Sequence, residues 1–410
     1  MTEATAATPT EPPRIPWITA VYNQKGGVGK TTTAANLATA LAACGQSVIL
    51  VDLDSQGNAT TSVGGTYNHG AGSYEFITGD GTLGDLARDT AYPGLKLVPA
   101  SRMLAGLELE LSEQDRPQYV IRERLLTDLP AVDHIIIDSP PALGMLPVNA
   151  LVAAHAVLIP VQSETFAHDG MVNAMFSLKR IRTTFNPSMA IHGVVVTMMG
   201  TDATSKKLEK VIRSEFSDAV MSTTIPRDTA VPDSADADHP VVVHAPQSAA
   251  AMAYLELAGE FLHREADLRD RLSRLRAGSA WPEDEPPGAE PVNALPCPVA
   301  AASADPDSAV LAAAATLSTW HARIFGGIRQ SADGIAAAPA TPAPKPPPRP
   351  PKPTLDAPAD DIPPDWTGVV DDVDAPGDGE GRLRTATWLA GAVAVAILCG
   401  VLYLAIATMT

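Results

Sequence analysis

Residues Asn23 to Thr32 read NQKGGVGKTT, and how this stretch is read decides the fold. A phosphate-binding loop has the spacing G-x-x-x-x-G-K-[ST]. Counted back from Gly29, Lys30 and Thr31, the first glycine belongs at position 24, where the chain has Gln24. A second lysine, Lys25, stands close by and is followed by Gly26, Gly27 and Val28. The apolar run WITAVYN precedes the loop, and the helical pattern TTTAANLATALAACG follows it and closes on Gly45. In a strand–loop–helix unit of this kind, backbone N–H groups at a helix N-terminus form a nest for an anion. Gly26, Gly27 and Gly29 allow the close approach. Lys30 is expected to reach the β- and γ-phosphates and Thr31 to present its hydroxyl to Mg2+.

Outward from the loop, short apolar runs alternate with helical patterns up to about residue 270. SVILVDLD, LKLVPAS, HIIIDSPP, AVLIPVQ and IHGVVVTMM read as strands, and VIRERLLTDL as a helix. Continuous Val/Ile/Leu runs separated by helices indicate a parallel sheet covered on both faces. The fold expected is α/β, a doubly wound, mostly parallel sheet of the P-loop NTPase type. Ligands of such sheets sit beyond the C-terminal strand ends. Asp52 and Asp54 end one strand and Asp138 another, placing three carboxylates at the same crevice as the loop. An aspartate there is suited to hold a Mg2+ water near the phosphates.

The remainder of the chain has a different texture. Of 410 residues 37 are proline, with the densest run between 339 and 366, and the formal net charge is −18. Residues 1–270 and 271–410 are each acidic, so neither is a basic nucleic-acid module by bulk charge. The expected organisation is a disordered N-terminus (1–16), an ATPase domain (17–270), a largely disordered Pro/Ala-rich acidic linker (271–386) and a transmembrane anchor (387–410). A linker of that composition cannot bury enough apolar surface to fold. Within it, residues 308–330 could form a helix with Leu317, Trp320, Ile324 and Phe325 on one side. Contact with a membrane surface or a partner, and a transient helix without a role, are both open readings.

Trp388 to Ala407 is a run of 20 residues without a charge. At about 1.5 Å per residue a helix of that length spans the ~30 Å hydrocarbon core. Arg382 and Arg384 precede it, which favours an ATPase domain on the cytoplasmic side of the inner membrane. The N-terminal MTEATAATPTEPPRIP has no apolar stretch, so no signal peptide is expected. Cys44, Cys297 and Cys399 form no C-x-x-C pair, which suits a reducing compartment and no zinc site.

Taken together, KGGVGKTT, VDLDSQGNATT, IIIDSPPALGMLPVNALVAAHAVLIPVQSETFAHDG and TTIPRD resemble the ParA/Soj partition ATPases of the deviant Walker A group, which also contains MinD. The resemblance covers roughly residues 17–264. It implies an ATP- and Mg2+-dependent switch that dimerises around two nucleotides and is commonly stimulated by a ParB-like partner. It also accounts for the second lysine. In the family this residue, here Lys25, reaches the nucleotide of the partner subunit, where a cation neutralises charge on the transferred phosphoryl. By the same resemblance Asp54 orients the attacking water, Asp52 and Asp138 serve the Mg2+ shell, Thr32 meets the α-phosphate, and Val28 and Pro226 line the nucleotide.

One departure stands out. Compact family members hold nonspecific DNA with arginines after the IPR motif. Here Arg227 is kept, the second position is Ala230, and Asp228, Asp233, Asp236 and Asp238 surround it. Carboxylates repel the phosphate backbone whose neutralisation sets duplex affinity. The other cations considered, Lys179, Arg180, Arg182, Lys206, Lys207, Lys210 and Arg213, also suit solvated helix faces. The implied role is DNA partition or the positioning of a cargo. The alternatives are a MinD-like membrane-associated positioning ATPase, a bacterial tyrosine kinase and a non-catalytic membrane scaffold. The kinase reading lacks a C-terminal tyrosine cluster. A nitrogenase-reductase-like relative would need cluster-ligating cysteines that are not there.

Overall fold

A computed structural model describes residues 15–142, 144–163, 167–277 and 306–335. Residues 1–14, the linker on either side of 306–335 and the expected anchor 387–410 lie outside them. Among the described residues no helix is long and apolar enough to cross a membrane.

Eight strands form one sheet: β1 (Trp17–Val21), β2 (Val48–Asp52), β3 (Arg88–Asp89), β4 (Leu95–Val98), β5 (His134–Asp138), β6 (Ala156–Gln162), β7 (Ala190–Met199) and β8 (Val220–Pro226). Their order is β3-β4-β2-β5-β1-β6-β7-β8. All pairs are parallel except β3 with β4 at one edge. The helices in chain order are α1 (Lys30–Ala43), α2 (Asn58–Ser62), α3 (Ser73–Thr78), α4 (Leu83–Leu86), α5 (Leu104–Ser112), α6 (Val120–Thr127) and α7 (Met145–Ala153). They continue with α8 (Ala167–Thr184), α9 (Ala203–Phe216), α10 (Ala230–Asp236), α11 (Val241–His244), α12 (Ala249–Ala277) and α13 (Pro306–Ile335).

Side chains alternate across the sheet as the strand period requires. Trp17, Val21, Leu50, Ile136, Leu158 and Val195 join one core with α1, α11, α12 and α13. Ile18, Ala20, Ile49, Ile135, Val157 and Val194 join the other, with α3, α5, α6 and α7. Both faces are covered, which is why these strands read as unbroken apolar runs.

Two strands break simple rules. β6 is central yet contains Pro160, which cannot donate to a ladder. β1 pairs with β6 only as far as Leu158. The carbonyls of Leu158 and Pro160 face the β1 side, accepting from Tyr22 N and Asn23 Nδ2. The missing donor therefore points where β1 has already ended. β8 has a sequence, VMSTTIP, with no continuous apolar run, and its pairing with β7 is irregular. It is an edge strand closed by α12: Glu260 accepts from the backbone N–H groups of Ser222 and Thr223 at 2.7 and 2.9 Å. Such cover removes an exposed edge.

α12 runs through the boundary expected at 270, and α13 is packed onto the same domain. Ala309, Ala313, Leu317 and Trp320 are buried in it.

At the base of the sheet, His192 is wholly buried and stacked on Phe261 at 3.7 Å. Its Nε2 lies 3.0 Å from the Phe261 carbonyl, and its Nδ1 accepts from Trp17 Nε1 at 3.4 Å. Only the neutral ring satisfies both contacts. Burial pushes its pKa from 6.5 down to about 3. Below pH 6.5 the unfolded chain takes up a proton that the folded chain refuses, so this stability is present above 6.5 and is lost as pH falls toward 3. Raised carboxyls such as Asp52 act in the opposite direction. The prediction is therefore a difference. Against His192→Gln, the parent loses about 1.4 kcal/mol more per pH unit below 6.5, measured by urea unfolding at pH 7 and 5. Equal slopes would contradict it.

Candidate functional site

The loop between β1 and α1 leaves the sheet at its C-terminal edge. Gly27 and Gly29 have φ of 74° and 84°, a backbone region that side chains disfavour. Gly29 caps α1, so the first turn of the helix begins at Lys30 with its N–H groups unsatisfied by any side-chain cap. Thr197 Oγ1 donates to the carbonyl of Val28 at 2.9 Å, fastening the loop to the end of β7. On the other limb Asn23 is buried. Its Oδ1 accepts from Lys25 N at 3.0 Å while its Nδ2 holds Pro160. Gln24, where a common loop has glycine, donates to Ser177 Oγ on α8 at 2.8 Å. Both limbs are thus tied to the scaffold by side chains.

Lys30 is buried, and its Nζ donates to the carbonyl of Lys25 at 3.1 Å. Burial lowers its pKa, while Asp138 and then Asp54 pull it back up. One of the two lysines thus bonds to the backbone of the other, and Lys25 itself is half-buried.

Asp52 and Asp138 sit side by side as register partners at the ends of β2 and β5. Both are fully buried, but their surroundings differ. Asp52 Oδ1 accepts from Asp54 N at 3.0 Å, and its Oδ2 accepts from Thr60 N and Oγ1, both at 2.7 Å. Burial raises its pKa to about 6 against the pull of those bonds. Asp52 therefore shapes the turn that carries Asp54. Among the described residues neither Asp138 oxygen meets a donor in full hydrogen-bonding geometry. Burial first, then Asp52 and Asp54, push its pKa well up, and the Thr31 hydroxyl and Lys30 pull it down.

A buried carboxylate without well-placed donors is costly unless a cation or proton meets it. Beside the Thr31 hydroxyl, that orphaned pair of oxygens fits a Mg2+ with its water shell. Asp138 and Thr31 are the residues that would hold it. Asp52, expected in the same shell, has its oxygens engaged by the turn.

Asp54 is half-buried in that turn. Its Oδ1 accepts from Gln56 N at 3.0 Å and its carbonyl from Gly57 N at 2.9 Å. Gly57 has φ 69°, and a Cβ there would lie 2.1 Å from the Tyr67 ring, so the turn admits only glycine. Thr32 lies in the first turn of α1. Pro226 ends β8, and Arg227 is exposed just beyond, its N–H donating to the Met199 carbonyl at 2.9 Å. Of the four carboxylates around Arg227, Asp228 is a backbone ligand. It accepts from Ala230 N and Ala250 N at 2.9 and 3.0 Å, which lowers its pKa. Asp233, Asp236 and Asp238 remain exposed.

The site thus gathers the loop, Asp52, Asp54 and Asp138 at one strand-end crevice. Asn23, Thr197 and Thr60 were not singled out from the sequence. Their one signal was a polar side chain next to a motif, and which backbone group each would meet depends on the fold.

The family described as AAA domain matches residues 17–191. The chain is 41% identical over 254 residues to the chromosome partitioning protein ParA of Caulobacter vibrioides, covering 61% of this chain and 95% of that one. It is 37% identical over 246 residues to the sporulation initiation inhibitor protein Soj of Bacillus subtilis, covering 59% and 97%. Among solved structures, cobyrinic acid a,c-diamide synthase from Mycobacterium smegmatis with bound ADP and magnesium is similar. It is 30% identical, with a TM-score of 0.53, covering 65% of this chain and 97% of that one.

Proposed function

Since the chain belongs to the ParA family of chromosome-partitioning ATPases, we propose that it works as a nucleotide-timed dimer held at the inner membrane by its C-terminal segment. It is a Mg2+-dependent P-loop ATPase acting in DNA partition or in positioning a cargo. Like ParA-type ATPases it dimerises on ATP and engages a partner protein. The observation that carries the reading is the orphaned Asp138 carboxylate beside Thr31 and Lys30 at the mouth of the glycine loop.

In this reading the N–H groups of Gly26 to Thr32 bind the phosphates, with Lys30 on the β- and γ-oxygens and Thr32 on the α-phosphate. Asp138 and Thr31 would hold Mg2+, which would supply positive charge against that developing on the phosphates. Asp54, presented by the Gly57 turn, orients the attacking water. Lys25 crosses to the other subunit's γ-phosphate, so the dimer is stable only while that phosphate is present. A ParB-like protein is the expected activator.

The membrane part rests on the apolar run Trp388 to Ala407 and on the exposed Asp233, Asp236 and Asp238, which oppose a DNA track. A fluorescent fusion of the whole chain is expected at the cell envelope, and one ending at residue 380 in the cell interior. The same 1–380 fragment with ATP is expected to bind duplex DNA more weakly than micromolar at low salt. Nucleoid staining by both fusions, or micromolar ATP-dependent DNA binding, would replace the membrane with the nucleoid.

A further inference from the structure

α13 follows a proline- and acid-rich stretch, yet it is docked on the ATPase core. Ala309, Ala313, Leu317 and Trp320 are buried, spaced as one helical face. They pack against α1, α11 and α12. Gly259 of α12 is matched to this approach, because a Cβ there would lie 2.7 Å from Cγ2 of Val310.

Further along, Trp320 lies 5.8 Å from the Tyr92 ring, and Phe325 meets His239 and His244 edge-on at 5.0 and 5.3 Å. His321 Nδ1 donates to the carbonyl of Val243 on α11 at 2.8 Å. From α11 the bonding continues inward. Val242 N donates to Asn36 Oδ1 at 3.1 Å, and Asn36 Nδ2 donates to the carbonyl of Thr32 at 2.8 Å. Asn36 is buried, and Val241, Val242 and Val243 are fully enclosed. Between the tail helix and the phosphate loop stand one short helix and one asparagine.

We propose that the surface of α1, α11 and α12 is a receptor for the chain's own tail helix α13, and that its occupancy is coupled to nucleotide binding at the loop. The proposal rests on the ATP reading of the site and not on the membrane. Phosphates bound at Thr31 and Thr32 order the first turn of α1, hence Asn36, α11 and the shelf that takes His321 and Trp320. Linkage makes the effect reciprocal: docking strengthens ATP binding by the factor by which ATP strengthens docking. A force on the tail, from a membrane or a partner, then acts on nucleotide retention.

Hydrogen exchange on the whole chain in detergent, with and without Mg2+ and a non-hydrolysable ATP analogue, tests this. Protection of amides in 309–325 is expected to rise with the analogue. Leu317→Asp, on the buried face, is expected to weaken analogue binding roughly fivefold or more. Leu311→Asp, on the exposed face, leaves binding unchanged. Tight analogue binding with unaltered exchange in 309–325 overturns the proposal and leaves the ATP site standing. No binding by the parent overturns both. Should Leu317→Asp fail to fold, exchange in the unaltered chain decides alone.

Discussion

Lys25→Ala is expected to lower ATP turnover by about 10²–10³-fold and to abolish the ATP-dependent dimer, while a single chain still binds ATP. The separation follows from the two bonds that the backbone of Lys25 makes in the loop. Its carbonyl accepts from Lys30 Nζ and its N–H donates to Asn23 Oδ1. Both are backbone groups, and alanine keeps them. The loop, its left-handed glycines and Lys30 therefore stay in place, and phosphate binding within one subunit persists. What alanine removes is the ammonium proposed to act on the other subunit's γ-phosphate. Phosphate release and sedimentation with ATP and Mg2+ measure the two effects separately. Parent-level turnover with an intact dimer would rule out a role in trans.

Asp54→Ala should have the opposite effect on assembly. Turnover falls by about 10²–10⁴-fold, the range for a lost proton-handling group, and the ATP-bound dimer accumulates. The backbone of Asp54 makes the turn that ends at Gly57, accepting from Gly57 N and donating to Asp52 Oδ1. Those bonds survive the substitution, and the fully buried Asp52 keeps Thr60 as its anchor. What is lost is the half-exposed carboxylate that would orient water, and with it the bond its Oδ1 accepts from Gln56 N at 3.0 Å. In a double variant with Lys25→Ala the dimer should vanish again. A monomeric Asp54→Ala protein under saturating ATP would break the link between the γ-phosphate and assembly.

Much of this was readable in advance because the signals are local. A glycine loop between an apolar strand and a helix needs neighbours in sequence only. β6, from Ala156 to Gln162, was legible because burial on both faces of the sheet demands an unbroken apolar run. Asp52, Asp54 and Asp138 could be named because each ends such a run. β8 was not recognised as a strand, since an edge strand half open to water carries no such run and gains its cover from Glu260, far along the chain. The α13 stripe of Leu317, Trp320, Ile324 and Phe325 was visible, but not what it would meet.

Sequence alone determined that this chain is a parallel α/β phosphate-binding protein with two lysines in its loop and carboxylates at the strand ends. Those features depend on residues a few positions apart and on the periods of helix and strand. Tertiary structure decided which carboxylate keeps its oxygens open and which is used up: among the described residues Asp138 lacks well-placed donors, while Asp52 is held by Asp54 and Thr60. It also decided that α13 belongs to the domain. Both outcomes depend on donors and surfaces brought together from distant parts of the chain, and no local pattern records those meetings.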